Sequence, residues 1–227
     1  MPPLATFDCY GTLVDWEGGA AAFLYDLSLR QGERSPRPGP ELRERWEAIQ
    51  FELLKGDYRP YRDVLAESLR QWMDERGYRW RPEEGAALVR SMRSWQPFPD
   101  TRPALTRARE AGWRLAIISN TDRDIIEHTI RHIGVPFDAV ITAEDAGAYK
   151  PSDAVFDHAL RELRVPPAEI LHVAFGFKYD IGPAGRHGMR SAWVNRHAEP
   201  PPGGEHFDHE WRDLWPLAEL TESGNQA

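Results

Sequence analysis

The sequence predicts an α/β protein: a parallel sheet with helices on both faces, and an all-helical block inserted after the first strand. Two observations predict it. From about residue 113 short apolar runs alternate with segments of helical periodicity, which is the signature of a parallel sheet wrapped by crossover helices. Residues from about 17 to 95 are instead rich in Glu, Arg, Leu and Trp at helical spacing, without a convincing strand. A length of 227 residues suits one sizeable domain carrying a smaller insert.

The elements follow in order. The N-terminus reads MPPLATFDCYGTLVDW, an apolar run that ends on Asp8 before Gly11. That is a buried strand closed by a carboxylate, and a charge there must either reach solvent or be held for use. Segments near 19–30, 41–55, 60–76 and 83–93 read as four helices, broken by Gln31-Gly32, a Pro-rich turn over 36–40, Gly56-Asp57, Gly77 and Pro82. Residues 113–118 are a strand. Residues 122–133 carry Ile125, Ile126, Thr129, Ile130 and Ile133 on one helical face, with Asp122 as N-terminal cap and Gly134 as stop. Strands at 139–142, 170–174 and 191–194 enclose helices at 153–163 and 180–187, the second ended by Gly188. Residues 197–204 are a Pro/Gly-rich loop, and the last dozen residues fray. The expected domains are a core of 1–15 and 96–227 and a helical domain of 16–95.

Composition narrows the function. A net charge of −8 argues against nucleic acid and anionic membrane as partners, since both need cationic surface. Small molecules remain. The single Cys9 rules out an internal disulfide, and no stretch approaches the roughly 20 apolar residues of a membrane span. Nor does the N-terminus carry the basic and apolar regions of a signal peptide, so the expected setting is the cytoplasm.

In an open parallel sheet, ligands bind at the carboxyl ends of the strands. Asp8 follows the first apolar run, Ser119 and Asn120 follow Ile117-Ile118, Asp180 follows Val173-Ala174 across a short loop, and Lys150 lies in the loop after Ile141. Four strand ends thus bring two carboxylates, an alcohol, an amide and an ammonium to one edge. Singly each has a plain structural use: Ser119 and Asn120 as helix caps, Lys150 as solvated loop, Asp180 as the N-cap of its helix. Together they would need as many separate structural reasons at one edge. His128 and His132, one turn apart, and His206 and His209 lack a third ligand and read as surface positions. Nine tryptophans read as packing.

Asp8-Cys9-Tyr10-Gly11-Thr12, Ser119-Asn120, Lys150-Pro151 and Asp180 resemble, in order and spacing, the four motifs of the haloacid dehalogenase (HAD) superfamily. That resemblance implies a Rossmann-like HAD core with the helical block as its cap domain. Superfamily phosphatases carry a second aspartate where Tyr10 stands, and a phenol is a poor acid near neutral pH. They also hold Mg²⁺ with an acidic pair whose first member is replaced here by Phe175, which offers no oxygen ligand, while Lys178 adds positive charge nearby. Both differences point to the L-2-haloacid dehalogenase branch, which has an Asp-x-Tyr-Gly-Thr motif and no metal or other cofactor.

The dehalogenase resemblance implies the following roles. Asp8 attacks the carbon bearing the leaving group, and water hydrolyses the resulting ester. Lys150 keeps Asp8 ionised, Thr12 orients it, and Ser119 with the backbone amides of Cys9 and Tyr10 holds the carboxylate of a small carboxylic acid. Asn120 helps receive the halide, Asp180 positions or activates the water, and Tyr10 lines the pocket with Phe175 and Lys178 near it. In the cap, Trp46 and the segment Tyr58-Arg59-Pro60-Tyr61 resemble those that close over substrate, with Tyr61 lining the halide pocket. The pattern is departed from in three ways. Glu47 stands where an arginine draws on the halide, and Arg43, one turn earlier, is placed to pair with it. Phe156 replaces a usual tyrosine, and Ala174 with Gly176-Phe177 replaces a Ser and an Asn. The leaving group is therefore a halide or, alternatively, the nitrogen of a small ring; a Mg²⁺-dependent phosphatase using Asp8 and Asp180 is the remaining enzyme class. Related enzymes are often dimers, and the Trp-rich cap could supply a homodimer interface.

Overall fold

The computed structural model describes residues 3–201, 203 and 206–223, which fall into a helical unit (15–96 and 121–132) and a sheet unit (the remainder). No described helix is long and apolar enough to cross a membrane.

In the helical unit, α1 (Trp16–Arg30), α2 (Gly39–Leu54), α3 (Tyr61–Glu75) and α4 (Pro82–Ser91) pack in succession. Asp15 caps α1 by accepting the Gly18 N–H, and Pro40 occupies the first turn of α2, where its missing N–H costs nothing. Leu24, Leu27, Leu42, Trp46, Val64, Leu65, Leu69, Trp72 and Leu88 are buried. The two large indoles keep partners inside this core: Trp46 Nε1 donates to Ser68 Oγ at 3.0 Å and Trp72 Nε1 to Leu42 O at 3.2 Å.

Helix α6 (Arg123–Ile133) corrects the expected boundary, because residues 121–132 group with the helical unit and not with the sheet. The cause is Asp122. Its carboxylate, expected as the cap of its own helix, accepts the Tyr61 N–H at 2.6 Å, the Arg62 N–H at 3.0 Å and Arg62 Nε at 2.9 Å, and so caps α3 from a distant part of the chain.

The sheet unit holds β1 (Leu4–Phe7), β2 (Arg114–Ser119), β3 (Ala139–Thr142), β4 (Ile170–Ala174), β5 (Arg190–Val194) and β6 (His209–Trp211), all parallel, in the order β3-β2-β1-β4-β5-β6. Its helices are α5 (Thr101–Glu110), α7 (Ala143–Ala146), α8 (Asp153–Leu163), α9 (Gly182–Arg186) and α10 (Trp215–Ser223). On one face Leu4, Ala116, Ile118, Ile141 and Ile170 pack with Val155, Phe156, Ala159 and Leu163 of α8. The alternate residues Ala5, Phe7, Leu115 and Ile117 are buried as well, which explains why the strands read as continuous apolar runs. Strand order reverses between β1 and β4, so the crevice at their carboxyl ends is the expected ligand position.

Four elements were not expected. The short α7 follows β3 directly, α5 and α10 pack on each other, and β6 adds an edge strand through its ladder to β5. The C-terminal residues 215–223 are thus helix and not a frayed end, whereas residues 202, 204 and 224–227, expected as loop and tail, lie outside the described residues.

Candidate active site

β1 delivers Asp8, and its backbone N–H continues the ladder to Val173 O at 3.1 Å. Gly11, three residues on, has φ +96°, a left-handed conformation that L side chains avoid and that turns the chain sharply after the carboxylate. The turn returns Thr12 to Asp8. Thr12 Oγ1 accepts the Phe175 N–H at 2.9 Å and therefore aims its own hydrogen at Asp8 Oδ2, 2.8 Å away.

The other Asp8 oxygen faces Lys150. Lys150 Nζ donates to Asp8 Oδ1 at 2.9 Å, to Asp180 Oδ1 at 2.5 Å and to Ile118 O at 3.0 Å. An ammonium has three hydrogens, and all three are used. Lys150 is 2% exposed, so its charge is spent on the two carboxylates and not on solvent. Burial pushes the Asp8 carboxyl up, with Lys150 and Thr12 pulling it back and the charge of Asp180 adding to the rise. Burial also opposes ionisation of Asp180, but Lys150 and then His172 outweigh it and hold that carboxyl below the ordinary 3.8. Lys150 itself is desolvated, yet its two carboxylates keep it charged, above its ordinary value.

Asn120 fixes this lysine from behind. Its Oδ1 accepts the Lys150 N–H at 2.7 Å and its Nδ2 donates to Lys150 O at 3.1 Å. Both ends of the amide are engaged with the Lys150 backbone, so Asn120 braces the lysine, a role that the resemblance did not include. Ser119 ends β2, one strand from Asp8, in the register that pairs Phe7 with Ile117. Its Oγ is buried and holds no hydrogen bond. An alcohol in that state at a strand end is the donor a bound anion would take up.

Asp180 does not cap a helix. It lies in a π-helical turn, Phe177–Ile181, ahead of α9, and its N–H donates to Gly176 O at 2.8 Å. The turn folds its carboxylate over Gly176, where an added Cβ would come within 2.7 Å of Asp180 Oδ2. Two further groups escaped the sequence reading. His172 on β4 is fully buried, with Nε2 3.2 Å from Asp180 Oδ1 and Nδ1 2.8 Å from Thr6 Oγ1. Arg196 donates to Thr12 O at 2.9 Å and to both oxygens of Asp100, its guanidinium 3.8 Å above the Phe98 ring, and so clamps the turn behind Asp8.

The pocket residues expected from sequence are placed less uniformly. Cys9 is fully buried, and burial followed by the charge of Asp8 pushes its thiol well up, so its side chain belongs to the core. Lys178 is exposed and takes no part in the carboxylate cluster. Tyr10 and Phe175 are half-buried, with Phe175 edge-on to His197 at 6.0 Å. Trp46 and Tyr61 belong to the helical unit; Trp46 is 1% exposed with its N–H spent on Ser68, which makes it a packing residue there. Arg43 pairs with Glu47 as its spacing suggested, and also with Glu17 at 3.1 Å. Burial raises the Glu47 carboxyl to about 7, Arg43 opposing and Glu17 and Glu44 reinforcing the rise.

The chain as a whole is similar to known proteins over most of its length. It is 28% identical to haloacetate dehalogenase H-2 of Moraxella sp. (strain B) over 200 residues, 84% of either chain. With (S)-2-haloacid dehalogenase 4A of Burkholderia cepacia it shares 25% identity, covering 93% of this chain and 92% of that one. A crystal structure of an L-2-haloacid dehalogenase superposes with a TM-score of 0.86 at 26% identity, covering 97% of this chain and 99% of the other. The family model described as haloacid dehalogenase-like hydrolase matches residues 3–187. With the parallel sheet and the strand-end cluster described above, the chain belongs to the haloacid dehalogenase-like hydrolases.

Proposed function

We propose that this hydrolase displaces a leaving group from the carbon next to the carboxylate of a small acid, by way of an ester on Asp8. One observation carries the reading: the ammonium of Lys150 stands between Asp8 and Asp180, bonded to an oxygen of each. A phosphatase of this fold would need oxygen ligands for a divalent ion and an acid for the leaving alcohol, and Phe175 and Tyr10 stand at the positions where the resemblance places those groups, while Lys150 favours the ionised form of Asp8 without a metal.

The chemistry then follows from the donors. The free Ser119 hydroxyl takes the substrate carboxylate. An Asp8 oxygen attacks the carbon, the bond to the leaving group breaks, and its electron pair departs with the halide. Water adds to the ester carbonyl carbon of Asp8 and gives one proton to Asp180; as the tetrahedral adduct collapses its hydroxyl proton passes to the departing alkoxide, so that the 2-hydroxy acid leaves, Asp8 is regenerated as a carboxylate and Asp180 sheds its proton to solvent. Across the cycle one water is consumed and one halide and one proton are released. The dehalogenase names of the relatives support the halide. The test is halide release from 2-chloropropionate in the presence of EDTA; Mg²⁺-dependent release of phosphate from a generic phosphoester, with no halide release, would favour the phosphatase instead.

Glu47 supports a second leaving group. In the dehalogenases that the chain resembles, an arginine after the cap tryptophan draws off the halide. Here Glu47 occupies that position, its carboxyl near 7 and partnered by Arg43. A carboxyl in place of that arginine repels a departing anion when ionised and is the better match for an amine. Ring opening of a small cyclic amino acid, read as a gain of one water in the product mass, separates this variant from dehalogenation.

A further inference from the structure

We propose that His172 is the positioning residue for Asp180, and that it serves the hydrolysis of the ester and not its formation. The inference rests on the ester reading above and deepens it. Thr6 on β1 and His172 on β4 are register partners on the face that α8 covers. The imidazole is fully buried and bonded at both nitrogens, with Nδ1 2.8 Å from Thr6 Oγ1 and Nε2 3.2 Å from Asp180 Oδ1. Phe156 of α8 meets it edge-on at 5.9 Å and limits its rotation.

The partners set the direction of the chain of bonds. An ionised carboxylate only accepts, so Nε2 carries the hydrogen given to Asp180. In the neutral ring Nδ1 then holds the lone pair, and the Thr6 hydroxyl supplies the hydrogen that satisfies it. Asp180 Oδ1 accordingly receives both of the buried donors, Lys150 Nζ and His172 Nε2. Oδ2 holds no hydrogen bond among the described residues and lies over Gly176, where the absence of a side chain leaves it room. His172 thus assigns the two oxygens different tasks: Oδ1 is anchored, and Oδ2 is presented to water.

Asp8 needs none of this for its attack, because its own oxygens are held by Lys150 and Thr12. The two steps should separate in variants. His172→Phe keeps an aromatic of similar size in an apolar setting and removes the donor; His172→Gln restores an N–H in reach of Asp180. With 2-chloropropionate as probe, rapid-quench kinetics would follow chloride release in the first turnover, and mass spectrometry of the intact protein would follow the ester. The expected result for His172→Phe is first-turnover chloride release near the wild-type rate, ester accumulation, and steady-state turnover lowered roughly 10- to 100-fold, with His172→Gln recovering most of it. Thr6→Val, which removes the outer hydroxyl, should move in the same direction by less, and carries the test if the Phe variant does not fold. Equal slowing of both steps, or no accumulation of ester in these variants while wild type forms it, overturns the proposal alone. A wild type that releases chloride without any ester overturns the ester reading and this proposal with it.

Discussion

Lys150 Nζ lies 2.5 Å from Asp180 Oδ1 and 2.9 Å from Asp8 Oδ1, so one buried ammonium neutralises two carboxylates that follow different strands. Removing it should be costly in two ways. Lys150→Met leaves two carboxylates facing each other without their cation, and breaking such a buried arrangement costs about 3–5 kcal/mol. The folded carboxyls should then titrate higher than in wild type, since the charge that favoured ionisation is gone. Urea unfolding at pH 7 measures the first effect, and loss of turnover at neutral pH accompanies it; unchanged stability would mean that the lysine is not the keystone of the cluster.

Ser119 should behave in the opposite sense. Its Oγ is buried without a partner, so Ser119→Ala deletes an unsatisfied group and should leave stability within about 1 kcal/mol of wild type or slightly above it. If the hydroxyl is the donor to the substrate carboxylate, KM should rise roughly 10-fold or more with a smaller change in kcat. A thermal melt beside a substrate titration checks both, and an unaltered KM removes Ser119 from substrate binding.

Gly176 tests the placing of Asp180. A Cβ at this position would sit 2.7 Å from Asp180 Oδ2, well inside contact distance, and the carboxylate would have to move. Gly176→Ala should lower kcat by roughly 100-fold for a shift of about 1 Å, at a cost of about 1–3 kcal/mol in stability. Wild-type kcat at saturating substrate would show that Oδ2 does no work there.

Glu47 should show in the pH dependence of stability. Its carboxyl titrates at about 7 in the fold against an ordinary 4.5, so the folded chain binds the extra proton between those values. Stability from this group is therefore fully present below 4.5 and is lost as pH rises through 7, by up to about 3 kcal/mol. Glu47→Gln, which resembles the protonated form, should flatten that slope in urea titrations run from pH 5 to 8. A slope unchanged in the variant would assign the effect to another group.

These outcomes rest on residues of unequal legibility. Asp8 and Ser119 could be found in the sequence because they directly follow buried apolar runs, and Lys150 and Asp180, in the loops after two further strands, because a parallel sheet collects such positions at one edge and their order matches the four motifs. The strands and most helices were legible for the same reason, their burial being written in the residue pattern. α5 was missed because Thr101–Glu110 carries only Ala104, Leu105 and Ala108 as its buried apolar residues, with Pro103 in its first turn reading as loop. β6 has only three residues, an edge strand made by its backbone ladder more than by composition.

His172 and Arg196 failed to show for a different reason. A histidine within Ile170-Leu171-His172-Val173-Ala174 is a visible anomaly, but its role depends on Thr6, 166 positions away, and on a turn that returns Asp180 to it. Asn120 and Asp122 likewise hold partners that local spacing does not show: each bonds to backbone far along the chain, at Lys150 and at Tyr61 and Arg62. Side-chain partners of high sequence separation are settled by topology, which residue spacing alone does not encode.

The central claim is that Asp8 bonds covalently to the substrate carbon. The most direct measurement is a single turnover with enzyme in excess, carried out in ¹⁸O-labelled water with 2-chloropropionate, followed by mass spectrometry of the peptide containing Asp8 and of the product. The label should enter the Asp8 carboxylate, and the first-turnover hydroxy acid should carry unlabelled oxygen taken from the enzyme. Label appearing in the product at the first turnover, with Asp8 unlabelled, would mean that water attacks the substrate directly and would contradict the account.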